Sequence, residues 1–139
     1  MRNLYKIITV FLIVVVLFIP FYSIMVVPEW ELIFVNKDGT PASSITIDQR
    51  WKDYSFEWSS EENVNKGLQT DSNGYIKLPA RHIRVSIFQI LSSRIRDAIM
   101  SINPHASFGS SSYIICRGAQ NCVVSYEKGG QEPQHVVLW

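Results

Sequence analysis

Hydrophobic and polar positions divide the chain into an apolar N-terminal segment and an alternating remainder. Residues 7–27 carry no charged side chain and are mostly Ile, Val, Leu and Phe. A helix rises about 1.5 Å per residue, so this segment is long enough for the roughly 30 Å apolar layer of a bilayer. Arg2 and Lys6 precede it and Glu29 follows, which predicts a cytoplasmic N-terminus. We therefore predict a single-pass transmembrane helix within residues 1–27 and one domain over residues 28–139.

A cleaved signal peptide would have the same charged start and apolar core. Its cleavage site usually follows small residues, whereas Phe21, Tyr22, Ile24 and Met25 are bulky. The sequence therefore favours an uncleaved signal-anchor. The signal peptide stays open as the alternative, and both deliver the same domain to the same compartment.

Short strands separated by turn residues dominate the remainder. An apolar strand leads to a turn at Asp38-Gly39, and the alternation of Ile45, Ile47, Gln49 and Trp51 predicts a second, half-buried strand. The same period of two continues over residues 54–58, and the polar residues 59–67 are predicted to be a surface loop. Further strands are predicted at residues 75–78, 113–116, 122–126 and 135–139.

One helix interrupts these strands. The residues Ile87, Leu91, Ile95, Ala98 and Ile102 recur at helical spacing and form an apolar stripe. Burying a large apolar side chain contributes about 1.5–3 kcal/mol, so the stripe is predicted to pack on the sheets. The resulting fold class is mainly β: a seven-stranded β-sandwich with one inserted amphipathic helix.

Charge and cysteine content narrow the function classes. Removing Arg2 and Lys6 from the 13 basic residues leaves 11 against 12 acidic ones, a balance that gives no reason to expect a nucleic-acid partner. Cys116 and Cys122 lie on the two arms of a predicted hairpin and are expected to form a disulfide in an oxidising compartment. The pair lacks two ligands for a metal site and is not spaced as C-x-x-C.

The basic side chains form the candidate binding surface. Residues 77–96 contain five Lys or Arg and no acid, and the candidate residues are Arg81, His82, Arg84, Arg94 and Arg96. On a membrane-tethered domain they are predicted to face anionic lipid or an acidic partner protein. A solvated helix face is the alternative interpretation.

Two motifs carry a family resemblance. "VNKDGTPASSITI" and "TDSNGYIKLP" occur in the order and spacing seen in carboxypeptidase regulatory-like domains, which the chain resembles over residues 31–79. The resemblance implies a transthyretin-like (prealbumin-like) fold. The tract "ARHIRVS…NPHASFG" resembles small membrane-anchored bacterial proteins with this domain, which implies a bacterial inner-membrane protein with its C-terminal domain in the periplasm.

No motif predicts catalysis, a metal or a cofactor. In "TDSNGYIKLP", Asp71 and Asn73 match two positions of a calcium loop, but Ala80 stands where the closing Glu belongs, so a turn is favoured. The histidines His82, His105 and His135 are far apart in sequence. The resemblance places no catalytic residue either, because the family's hydrolases end in Y-R-G-S and this chain does not.

We therefore predict a non-enzymatic, membrane-anchored binding or accessory module of the bacterial envelope, without a cofactor. The alternative is a structural component that assembles with an envelope protein through a sheet edge. An enzyme is the third candidate.

Overall fold

Two helices and nine strands make up the part of the chain that the computed structural model describes, which is residues 2–102, 107, 109–118, 122–127 and 133–138. In chain order the elements are α1 (Arg2–Phe18), β1 (Tyr22–Val27), β2 (Trp30–Asn36), β3 (Thr46–Asp53), β4 (Asn63–Gln69), β5 (Tyr75–Leu78), β6 (Arg81–Val85), α2 (Ile87–Met100), β7 (Ser110–Arg117), β8 (Val123–Ser125) and β9 (Gln134–Leu138). The chain is mainly β, as predicted, but the predicted count of seven strands is wrong.

Two sheets enclose one core, which makes the fold β-sandwich-like. One sheet has the order β5-β2-β9 and the other has the order β4-β3-β7-β8. All neighbours are antiparallel except β2 and β9, which are parallel. The two sheets contribute to a single cluster of buried side chains: Trp30, Leu32, Phe34, Ala42, Ile47, Ile76, Leu78, Ile114, Cys116, Val136 and Leu138. Strand alternation therefore places the apolar residues of both sheets in the core.

The segment predicted to be a transmembrane helix is part helix and part strand. α1 ends at Phe18, before Pro20, whose ring lacks an N–H and disfavours helical backbone at the preceding residue. β1 then pairs antiparallel with β6 as a separate two-stranded sheet. Within the described residues, every helix is too short or too polar to cross a membrane. The prediction of a transmembrane helix is therefore wrong.

Three strands lie where none was predicted. β1 lies inside the predicted anchor, β4 lies in the predicted surface loop, and β6 lies in the segment that carries the first candidate basic residues. Residues 54–58, predicted to continue a strand, instead form a turn after β3. Each missed strand pairs antiparallel with a neighbouring strand: β1 with β6, and β4 with β3.

Local turn signals were interpreted correctly. Asp71 Oδ1 accepts hydrogen bonds from the backbone N–H groups of Asn73 (2.8 Å) and Tyr75 (2.9 Å), and Gly74 has a φ of +73°. The oxygen that a calcium loop would offer to the ion is therefore engaged in the turn, which confirms the predicted turn.

The predicted disulfide is also confirmed. Cys116 and Cys122 are bonded, with their Cα atoms 5.0 Å apart, at the end of the hairpin where the chain passes from β7 to β8.

Candidate functional site

The helix α2 is attached to the sandwich by its polar side. Ser86 caps it by accepting a hydrogen bond from the Gln89 backbone N–H, and the Gln89 side chain accepts one from the Ser86 N–H. Gln89 Nε2 donates to the carbonyl of Phe56 at 3.5 Å, and Ser93 is buried. A guanidinium N–H of Arg96 donates to the carbonyl of Tyr54. These side chains are spaced four and three residues apart, so one polar helix face meets the segment that follows β3.

The apolar stripe of α2 consequently points away from the sheets. Leu91, Ile95, Ile99 and Ile102 expose between 59% and 85% of their surface. The prediction that this stripe packs on the sandwich is wrong. Periodicity identified the stripe correctly, but polar contacts from the opposite face determine its direction.

The helix α1 contacts α2 and extends the exposed apolar area. The rings of Phe18 and Phe88 stack with centroids 4.6 Å apart, and Trp58 meets Phe88 edge-on at 6.4 Å. Nearly all apolar side chains of α1 are exposed. We call the exposed side chains of α1 together with Leu91, Ile95, Ile99 and Ile102 the helical apolar surface. Its extent is unusual because exposed apolar patches on soluble monomers rarely exceed a few hundred Å².

Arg81, the first candidate basic residue, has partners in the body of the domain. Its Nε donates to Gln49 Oε1 at 2.8 Å, and its guanidinium lies 4.5 Å from the centroid of the Trp51 ring. Burial lowers the pKa of Arg81. Gln49 is fully buried on β3, so Arg81 has a structural position between two strands that the sequence did not predict.

The remaining candidate residues are divided between two places. His82 and Arg84 are exposed on the same face of β6, opposite Met25 and Ser23 of β1 in the strand register. Arg94 is exposed on α2, whereas Arg96 turns toward the body and lies 5.9 Å from the Trp58 ring. Of the five candidate residues, His82, Arg84 and Arg94 are exposed, and Arg81 and Arg96 are partly buried.

Two serines of β7 make hydrogen bonds within the domain. Ser110 and Ser112 lie at the start of β7 and donate hydrogen bonds to Asp53 Oδ2 and to the Arg50 carbonyl. In the described part of the chain, no three His, Cys, Asp or Glu side chains are grouped to hold a metal ion. His105 lies outside the described residues.

Comparison of the chain with family models, curated proteins and solved structures finds no match.

Proposed function

We propose that the chain is a non-enzymatic module that binds a lipid surface through the helical apolar surface. The outward direction of the apolar stripe on α2 is the observation that carries this proposal. An amphipathic helix whose polar face is already bonded to its own domain has its apolar face free for an interfacial position on a bilayer. Such contact requires no membrane-spanning helix.

The energetic support comes from the exposed side chains of α2. Full burial of one Leu or Ile contributes about 1.5–3 kcal/mol. With more than half of each side chain exposed, lipid contact by Leu91, Ile95, Ile99 and Ile102 would contribute about 4–8 kcal/mol. α1 would add to this through its own exposed apolar residues.

Charged and aromatic side chains support lipid over a purely apolar partner. Arg84 of β6 and Arg94 of α2 are both exposed. Each basic residue close to an anionic leaflet contributes about 1 kcal/mol. Trp58 is 60% exposed beside Phe88, and Trp is the residue that prefers the headgroup region of a bilayer. The occupant we propose is therefore a bilayer that contains anionic lipid.

Two predictions from the sequence remain proposals. They are the location in the bacterial periplasm at the inner membrane and the relation to carboxypeptidase regulatory-like domains. Assembly with an envelope protein through a sheet edge is the second candidate function. It is favoured by the free outer edge of β9, which among the described strands pairs only with β2.

Liposome flotation of the full chain tests the proposal. Ile95→Asn removes an apolar side chain that is 65% exposed and is expected to raise the lipid concentration for half-flotation about 5- to 30-fold. Val123→Asn is the matched control, because Val123 is 67% exposed on β8 and lies on neither helix. Replacing phosphatidylglycerol by phosphatidylcholine should weaken flotation further.

Two results would overturn the lipid proposal. One is equal flotation of the Ile95→Asn and Val123→Asn variants. The other is self-association of the chain, without flotation, that Ile95→Asn abolishes, which would assign the surface to a second copy.

A further inference from the structure

The segment between β3 and β4 forms one wall of a pocket on the outer face of the four-stranded sheet. The pocket is open and has a volume of about 440 Å³. Three cationic side chains line it: Arg50 and Lys52 of β3 and Lys66 of β4. Two carboxylates, Glu61 and Glu62, line the same pocket. The lining therefore carries an excess of one positive charge.

Lys52 is the buried cation of this pocket. The residue is only 5% exposed, and its ammonium donates to the carbonyl of Ser59 and lies 5.2 Å from the centroid of the Tyr54 ring. An ammonium has three N–H donors. In the described part of the chain no carboxylate lies within ion-pairing distance of it. A buried charge is normally paired, so an anionic partner for Lys52 is missing.

Arg50 presents a second unused donor. Its Nε is buried and has no acceptor among the described residues. Its Nη1 lies 3.5 Å from Glu62 Oε2, and the same oxygen accepts a 2.6 Å hydrogen bond from the Tyr113 hydroxyl. Glu62 is therefore already engaged by two side chains and leaves Arg50 Nε free.

We propose that this pocket binds a small oxyanion, a phosphate or carboxylate group. The oxyanion accepts hydrogen bonds from Lys52 Nζ and Arg50 Nε, which are charge-assisted and therefore strong. Lys66 is exposed and adds attraction at the rim. The site does not depend on the lipid contact proposed above.

The position of the pocket leaves two sources for the oxyanion. The same segment that walls the pocket accepts hydrogen bonds from α2 at Tyr54 and Phe56 and carries the exposed Trp58. A lipid headgroup phosphate and a free anion both have the required chemistry, and binding experiments distinguish them.

Titration calorimetry of the full chain in a non-ionic detergent tests the free anion. Inorganic phosphate is expected to bind saturably at constant ionic strength. Arg50→Gln should weaken this binding about tenfold or more, because it removes a charge-assisted donor. Lys66→Gln should weaken it a few-fold. Lys37→Gln is the control, since it removes an exposed cation from the turn after β2 and Lys37 does not line the pocket.

Flotation on liposomes containing phosphatidic acid tests the headgroup. A loss of flotation in Arg50→Gln that Lys37→Gln does not reproduce would support the site and assign it to the headgroup. Saturable phosphate binding with the same dependence on Arg50 would support the site and assign it to a free anion. If Arg50→Gln behaves like Lys37→Gln with both probes, the proposal is wrong. Ile95→Asn tests the helical apolar surface separately, so the two proposals fail independently.

Discussion

Gly74 tests the close contact between the turn before β5 and the backbone of β2. It lies in the turn before β5 with a φ of +73°, and its carbonyl accepts a 2.8 Å hydrogen bond from Phe34 N–H. A Cβ at this position would lie 2.2 Å from the Phe34 carbonyl oxygen and 3.0 Å from the Ala42 nitrogen. Gly74→Ala therefore combines backbone strain with a collision against β2.

Gly39 separates these two effects. Its φ is +83°, and an added Cβ would meet no atom within 4 Å. Left-handed backbone costs about 1–2 kcal/mol for a residue with a Cβ, and the stiffer unfolded chain returns about 0.4–1 kcal/mol. Gly39→Ala should therefore lower the free energy of unfolding by about 1 kcal/mol.

The collision at Gly74 adds a larger cost. The Phe34 carbonyl must move, although it accepts a 2.9 Å hydrogen bond from Ala42 N–H. Each lost hydrogen bond costs about 0.5–1.5 kcal/mol, and a buried group left without a partner costs about 1–3 kcal/mol. We expect Gly74→Ala to lower the free energy of unfolding by about 3–5 kcal/mol, a large part of a typical domain's 5–15 kcal/mol.

Urea unfolding of the full chain, followed by tryptophan fluorescence in a non-ionic detergent, measures both variants. Trp30 is buried in the core and reports unfolding of the sandwich. Equal losses for Gly39→Ala and Gly74→Ala would show that the Phe34 carbonyl does not oppose a Cβ at position 74, because only the space around the two positions differs.

Three further predictions concern side chains buried in the sandwich. Burial alone would raise the pKa of Asp48, but hydrogen bonds from Arg117 and from the Gly67 N–H outweigh it and lower the pKa. In acid the unfolded state then binds more protons than the folded state, so this stabilisation is present above about pH 4 and is lost as pH falls through the folded-state pKa. Asp48→Asn should therefore reduce the loss of unfolding free energy between neutral and acidic pH. An unchanged loss would contradict this prediction. Arg81→Ala should lower the free energy of unfolding by about 1.5–3 kcal/mol, because it removes the hydrogen-bond partner of buried Gln49. Arg84 is exposed, so Arg84→Ala should change thermal unfolding little. Similar effects of the two substitutions would contradict the structural role of Arg81. The Cys116–Cys122 disulfide joins residues that are six positions apart in the sequence. Its reduction should lower the free energy of unfolding in urea by about 2 kcal/mol. An unchanged free energy would show that the disulfide does not constrain the unfolded chain.

The sequence predicted those parts of the fold that rest on local signals. The turn residues at Asp38-Gly39 and at Asp71 fix their own backbone by short-range hydrogen bonds. β5 was predicted with its observed bounds because Pro79 ends it. The disulfide followed from two cysteines on neighbouring arms of one hairpin.

The missed parts of the fold depend on contacts between distant residues. β4 is a polar edge strand held by pairing with β3, so it has no buried face to give an alternating pattern. The direction of α2 is set by carbonyls of Tyr54 and Phe56, which are 42 and 33 residues away from their donors. Periodicity identifies an apolar stripe but does not indicate which partner covers it.

The candidate site was only partly predictable for the same reason. The run of basic residues identified exposed Arg84 and Arg94, but it also included Arg81, which packs on Trp51. The pocket was missed because Lys52 looks like an ordinary exposed strand residue in the sequence. Its burial comes from the segment that folds back after β3.

Quenching by labelled lipid tests the lipid contact of α2 most directly. Ile95→Cys and Val123→Cys variants of the full chain would each carry the same fluorophore, with the chain bound to liposomes that contain phosphatidylglycerol and nitroxide-labelled lipid. Lipid contact through α2 should give strong quenching and a blue-shifted emission at position 95, and weak quenching with water-like emission at position 123. Water-like emission at both positions, with the protein bound to the liposomes, would contradict lipid contact by α2.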